Sequence, residues 1–281
     1  MKKIKKIIIT GGSGYLGKIL TKYLSKNYKI ITIDKKNFNS NLKNHIHIST
    51  DLKSFFDKRK LSEIYAIIHL AGESRNSSYN SYPKLGLENV KNIYSILESI
   101  VKVKKKPKLI FASTKQIEND LLTQNSNSYS ISKKFCEDLI IHYIKTYKIS
   151  ASIVRFSDIF SLTSNPSEKA FGKFLKLIKE NKKIIVDNKK HNFELIDTKI
   201  IEKNMNLILK KRKNCFLKIY GEKINIVDLI SSIKKLYNSR SKIIFRDKSN
   251  SVRKNKIFIK SKIIFSKKNF FYQLKKMRID C

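Results

Sequence analysis

Residues 8–17 read Ile-Ile-Thr-Gly-Gly-Ser-Gly-Tyr-Leu-Gly, and the spacing of the glycines in this stretch decides the fold. The run Ile7–Ile9 is short, apolar and β-branched, as a buried strand is. Glycines 11, 14 and 17 end it and open a helix. Gly11 permits the tight turn, Gly14 lets the backbone approach a pyrophosphate, and Gly17 lets the helix pack close to the strand. Leu16, Ile19, Leu20, Tyr23 and Leu24 then recur at helical spacing. The free N–H groups at such a helix start face an anion. A second strand, Lys29 to Ile33, ends in Asp34, where a dinucleotide-binding fold wants an acid for the ribose hydroxyls. The chain has only 8 glycines, so three at these positions reflect a backbone requirement.

The apolar fraction of 41% is enough for a packed core and argues against disorder. Cys136, Cys215 and Cys281 lack metal-ligand spacing and are odd in number, which suits free thiols in a reducing, cytoplasmic setting. No segment is long and uncharged enough to suggest a membrane span. The net charge of +39 is large, but the lysines are scattered among abundant Ile and Asn. They read as compositional bias, so nucleic acid is expected to bind only by non-specific attraction. Basic and aromatic residues interleave at 253–276, the best candidate surface for a polyanion, although a strand and helix with apolar inner faces explains them more simply. His45, His47 and His142 show no metal spacing, so no metal site is expected, and His69 reads as a packed strand-end residue.

Strand patterns at 6–10, 29–33, 45–49, 65–70, 107–112 and 150–155 alternate with helical patterns at 14–26, 53–58, 84–102 and 129–146. This alternation predicts an α/β, Rossmann-type, doubly wound parallel sheet, with ligands beyond the carboxyl ends of the strands. Thr10, Asp34, Asp51, Ala71, Gly72, Ser113 and Thr114 fall at those ends. Beyond residue 160 the pattern changes. Residues 1–160 with about 193–220 read as the nucleotide-binding domain, and about 161–192 with 221–281 as a smaller, discontinuous C-terminal substrate-binding cap.

The segment Tyr129-Ser-Ile-Ser-Lys133 places a phenol and an ammonium one helical turn apart. A phenol, with a pKa of about 10, is a poor base at neutrality, and a nearby ammonium favours its ionised form. Such a pair can move a proton to or from a substrate hydroxyl. The preceding strand ends in Ser113-Thr114, whose hydroxyl can hold the same oxygen.

The chain resembles the extended short-chain dehydrogenase/reductases, the NAD-dependent epimerase/dehydratase group acting on nucleotide sugars. The resemblance rests on Thr10–Gly17, Asp34, Asp51-Leu52, His69–Gly72, Asn89-Val90, Ser113-Thr114, the 129–133 segment and Arg155-Phe156-Ser157, in order and at matching spacing. It implies Tyr129 as acid/base, Lys133 as its partner and ribose ligand, and Thr114 as the orienting hydroxyl. It implies a cofactor site of Gly11, Ser13, Gly14, Tyr15, Leu16, Gly17, Asp34, Asp51, Leu52, Leu70, Ala71, Gly72 and Lys133, and substrate contacts at Ser74, Ser157 and His191. Asn89 would be structural, near the site. The expected cofactor is NAD, because Asp34 disfavours a 2′-phosphate, with NADP left open by Lys35 and Lys36. A nucleotide-sugar substrate and a homodimer through the helices near 84–102 and 129–146 are likewise implied.

The chain departs from the family at informative places. Sugar-nucleotide dehydratases carry Asp-Glu after the catalytic threonine, and Lys115-Gln116 stand here. Arg155-Phe156-Ser157 lacks the usual amide, and His191-Asn192-Phe193 replaces an Arg-Asp-Phe segment, with Lys189 or Lys190 nearby. Epimerisation through transient hydride transfer is therefore the expected reaction. Keto-sugar reduction, or polyanion or RNA binding on the same scaffold, are the alternatives.

Overall fold

The computed structural model describes residues 4–58, 61–73, 76–123, 127–160, 170–211 and 213–246. The candidate contact Ser74, the tail at 253–276 and Cys281 lie outside these. The first elements are β1 (Lys6–Thr10), α1 (Tyr15–Leu24), β2 (Lys29–Asp34), β3 (His45–Ser49), α2 (Leu52–Lys58), β4 (Ile64–His69), α3 (Asn76–Ser81) and α4 (Lys84–Val101). Next come β5 (Lys108–Thr114), α5 (Gln116–Thr123), α6 (Ser128–Tyr147), β6 (Ala151–Phe156), β7 (Asp158–Phe160) and α7 (Ala170–Lys179). The remaining elements are β8 (Ile184–Val186), β9 (Asn192–Asp197), α8 (Thr198–Lys210), β10 (Cys215–Ile219), β11 (Glu222–Asn225), α9 (Ile226–Leu236) and β12 (Ile243–Phe245).

Seven parallel strands form the central sheet, in the order β10-β6-β5-β4-β1-β2-β3. The order reverses at β1, so the loops after β1 and β4 diverge and leave a crevice at the carboxyl ends. Strand parity divides the core into two layers, because successive side chains point to opposite faces. Ile8, Ile67, Leu109 and Ile153 pack with Ile93, Ile96 and Leu97 of α4 and Ile140 of α6. Ile7, Ile9, Ile68 and Val154 pack with Leu20 and Leu24 of α1 and with Ile201, Met205 and Ile208 of α8. Both faces are covered, which is why these strands read as unbroken apolar runs.

Two small sheets, β11-β9-β7 and β12-β8, share a third apolar cluster with α7 and α9, which includes Leu175, Ile184, Phe193 and Ile230. Asn225 starts α9 by accepting from the Val227 amide at 2.8 Å, as its position in the sequence suggested.

Candidate active site

The glycine turn has the geometry that its spacing implies. Gly11 sits at φ +73°, and its amide donates to the Ile33 carbonyl at 2.9 Å, which seats the turn on β2. A Cβ on Gly17 would lie 2.8 Å from Gly12 Cα and would run into the Gly11 carbonyl, so α1 packs directly on the turn. Gly14 is exposed, and no side chain caps α1 there, which leaves the first turn of the helix open to an anion. Asp34, the last residue of β2, accepts from Ser13 N at 3.2 Å and from Lys36 N at 3.1 Å, which holds its carboxylate beside the turn. An open glycine turn, a helix start without a side-chain cap and an adjacent acid fit the pyrophosphate and ribose of a dinucleotide. Tyr15 and Leu16 lie half-buried in the first turn of α1.

Other expected cofactor positions have defined settings. Leu70 N donates to the Thr10 carbonyl at 3.2 Å, and Ala71 N to Thr10 Oγ1 at 3.4 Å, so residues 70–72 follow β1 closely. Asp51 accepts from Ser54 N at 2.9 Å, and that bond holds its carboxyl below the usual range. Leu52 is 6% exposed and belongs to the core, so its side chain is turned inward. His69 is a packed residue, as its strand-end position suggested. Its Nδ1 shares a 2.7 Å hydrogen bond with Thr10, and burial, aided by the Lys133 charge, holds its pKa down to about 3.

Helix α6 begins with a reciprocal cap. Asn127 Oδ1 accepts from Ser130 N at 3.0 Å, and Ser130 Oγ accepts from Asn127 N at 3.3 Å. This cap fixes Tyr129 in the first turn, where its phenol lies near enough to the Thr114 side chain at the end of β5 to feel its influence. Burial is the largest influence on the phenol and pushes its pKa up to about 12, with Thr114 opposing the rise and Glu73 adding to it. One turn later, Lys133 is 5% exposed, donates to the Ala112 carbonyl at 2.9 Å and lies 4.8 Å above the Phe111 ring.

A buried ion network underlies this site, and the sequence reading missed it. Glu137 is 1% exposed and receives Arg155 Nε at 2.8 Å, Arg155 Nη2 at 2.5 Å and Ser113 Oγ at 2.6 Å. Arg155 Nη1 reaches Glu118 at 2.9 Å, and Tyr220 and Lys218 also meet that carboxylate. The available signal was spacing. Glu137 follows Tyr129 and Lys133 at four-residue intervals, so all three share the inner face of α6.

The expected substrate positions are less convergent. Ser157 Oγ accepts the Gly221 amide at 3.0 Å, and His191 is exposed with its ring edge-on to Phe193. Lys115, which follows Thr114, pairs with Glu194 of β9 and lies 5.0 Å from the Tyr220 ring centroid. Among the described residues, no group of three or more His, Cys, Asp or Glu could hold a metal ion, and no helix is long and apolar enough to cross a membrane.

Sheet order, glycine turn and the Tyr129–Lys133 helix define a Rossmann-type α/β protein of the extended short-chain dehydrogenase/reductase kind. Residues 7–212 match the NAD dependent epimerase/dehydratase family, and the chain belongs to that family. Among curated relatives it is 31% identical over 222 residues to a dTDP-D-glucose 4,6-dehydratase of Dictyostelium discoideum, a match covering 65% of this chain and 50% of that protein. The chain therefore spans about half the length of that relative. A UDP-glucose 4-epimerase structure from Thermotoga maritima superposes with a TM-score of 0.77 at 16% identity, covering 88% of each chain. A UDP-glucuronic acid 4-epimerase from Bacillus cereus, in complex with UDP-glucuronic acid and NAD, gives 0.74 at 22% identity and 86% coverage of each. These two likenesses concern the fold.

Proposed function

We propose that the chain binds NAD and a nucleotide sugar and inverts a sugar carbinol as an epimerase. The observation that carries this reading is the meeting of Thr114 and Tyr129 at the end of β5, with Lys133 one turn behind, on a fold whose glycine turn is open. The turn 11–17 and Asp34 hold the cofactor's pyrophosphate and ribose, and residues 70–72 line it. NAD, when bound, supplies the hydride acceptor and donor. Tyr129 takes the proton from the sugar hydroxyl and later returns it, while Thr114 holds the same oxygen. Burial holds the phenol protonated, with Thr114 opposing the rise; in this reading a cation drawn close to the oxygen during turnover, the role given to Lys133, favours the phenolate and makes proton removal accessible. Lys133 also holds the nicotinamide ribose.

The small sheets with α7 and α9 form the cap that receives the sugar nucleotide, with Ser157 and His191 as contacts. Lys115 pairs with Glu194 where dehydratases carry an acid, which favours epimerisation over loss of water. Leu87 and Tyr94 on α4 and Ile131 and Phe135 on α6 are exposed apolar residues, and they support pairing of two copies through these helices.

The test is calorimetric titration with NAD, then a panel of UDP- and dTDP-sugars assayed for epimer and for NADH. Tyr129→Phe keeps NAD affinity and loses turnover. Turnover retained by that variant rejects the assigned acid/base, and absence of NAD binding in the wild type rejects the whole reading.

A further inference from the structure

Tyr79 was no part of the sequence reading, yet its contacts run to the centre of the site. It is 1% exposed, and its ring lies 5.1 Å from the Tyr129 ring at a 50° tilt. Its hydroxyl donates to the Glu73 carbonyl at 2.8 Å and accepts from Asn89 Nδ2 at 2.8 Å. The second hydrogen on that Asn89 nitrogen goes to Ser132 Oγ at 3.1 Å, and Ser132 Oγ donates to the carbonyl of Tyr129 at 2.8 Å. Each donor in this chain is used once, so its direction is fixed: Ser132 and Tyr79 donate outward, and Asn89 donates to both. Asn89 also closes the turn itself, since a Cβ on Gly72 would lie 2.8 Å from Asn89 Oδ1.

We propose that Tyr79 is a positioning residue for Tyr129, holding the phenol by ring contact and, through Asn89 and Ser132, by the helix backbone that carries it. This rests on the reading of Tyr129 as the proton-transfer group. The same hydroxyl fixes the turn at 72–73, so the segment expected to line the cofactor and the helix bearing the acid/base are locked to one buried group. Tyr79 itself stays protonated, because burial is the main influence on its phenol and raises the pKa well above the ordinary value. It orients and does not exchange a proton. Its ring also helps keep water from Tyr129, whose ionisation burial opposes.

The experiment uses the full chain labelled with [ζ-13C]tyrosine, with the Tyr129 signal identified by its loss in Tyr129→Phe. Tyr79→Phe removes the hydroxyl and keeps the ring. Ser132→Ala cuts the link nearest Tyr129 in a helix that tolerates alanine, so a Tyr79 variant that fails to fold does not end the test. With its pKa near 12, Tyr129 in the wild type is about a tenth ionised at pH 11. Loosening lets water reach the ring, and at least one folded variant then shows about a quarter or more ionised at that pH, with a displaced Tyr129 signal at pH 7. Tyr129 signals at wild-type position and ionisation in every folded variant would overturn the proposal. Calorimetry with NAD on the same samples separates the two readings. A wild type that binds no NAD rejects the proposed function, while the resonance test of Tyr79 stands on its own.

Discussion

Glu137→Gln removes the charge that Arg155 meets with two of its nitrogens. Arg155 and Glu137 side chains are 10% and 2% exposed, so water replaces little of what is lost. Breaking a buried pair by removing one partner costs about 3–5 kcal/mol. Glu118 remains 2.9 Å from Arg155 Nη1 but is 24% exposed and shared with Lys218, so it offsets only part of that cost. The expected loss is about 2–4 kcal/mol. For a chain of this size each kcal/mol moves Tm by about 2–4 °C, giving a fall of about 5–15 °C. Urea denaturation and thermal unfolding by circular dichroism measure both quantities. The double variant Glu137→Met with Arg155→Met leaves no unpaired guanidinium and is expected to lose less than Glu137→Gln alone. A loss below about 1 kcal/mol in Glu137→Gln, typical of an exposed pair, would refute the reasoning. So would a double variant less stable than either single one.

Two further outcomes follow from the geometry. The folded His69 resists protonation down to a pKa of about 3, whereas the unfolded imidazole takes a proton near pH 6.5. Its contribution is therefore complete above pH 6.5 and is lost toward pH 3, at about 1.4 kcal/mol per pH unit. His69→Gln should show a shallower dependence of unfolding free energy on pH by that amount, and equal slopes would contradict the assignment. Gly17→Ala forces a Cβ against the Gly11 carbonyl and Gly12. At about 1–3 kcal/mol of overpacking this weakens NAD binding by about ten- to a hundredfold in calorimetry, whereas Gly14→Ala, which meets only the Gly11 carbonyl at 3.1 Å, weakens it less.

The parallel sheet was legible because its signals are local. The apolar run before Gly11, the acid ending β2, the alternation of periods and a strand pattern at 215–219 place all seven central strands before any contact is known. Tyr129 and Lys133 were legible for the same reason, since a four-residue interval on a helix fixes a shared face. Four other short elements were not, although the 7-residue α2 was read at 53–58. Helices α3 and α5 and strands β7 and β11 have at most 8 residues, too few for a period to declare itself, and the chain around them holds them in place. Leu52, which the resemblance placed in the cofactor site, has its side chain turned into the core, a packing that the resemblance does not reveal.

What the sequence determined alone is the backbone machinery: where the chain must turn, which helix starts at the turn, and which residues share the inner face of α6. What only tertiary structure decided is how distant residues share buried polar groups. Ser132 lies 43 residues from Asn89 along the chain, and Arg155 lies 18 residues from Glu137 and 37 from Glu118. No periodicity announces such groups. They converge because a buried donor or charge is costly until a partner meets it, and the partner is chosen by where the packed layers bring the chain together.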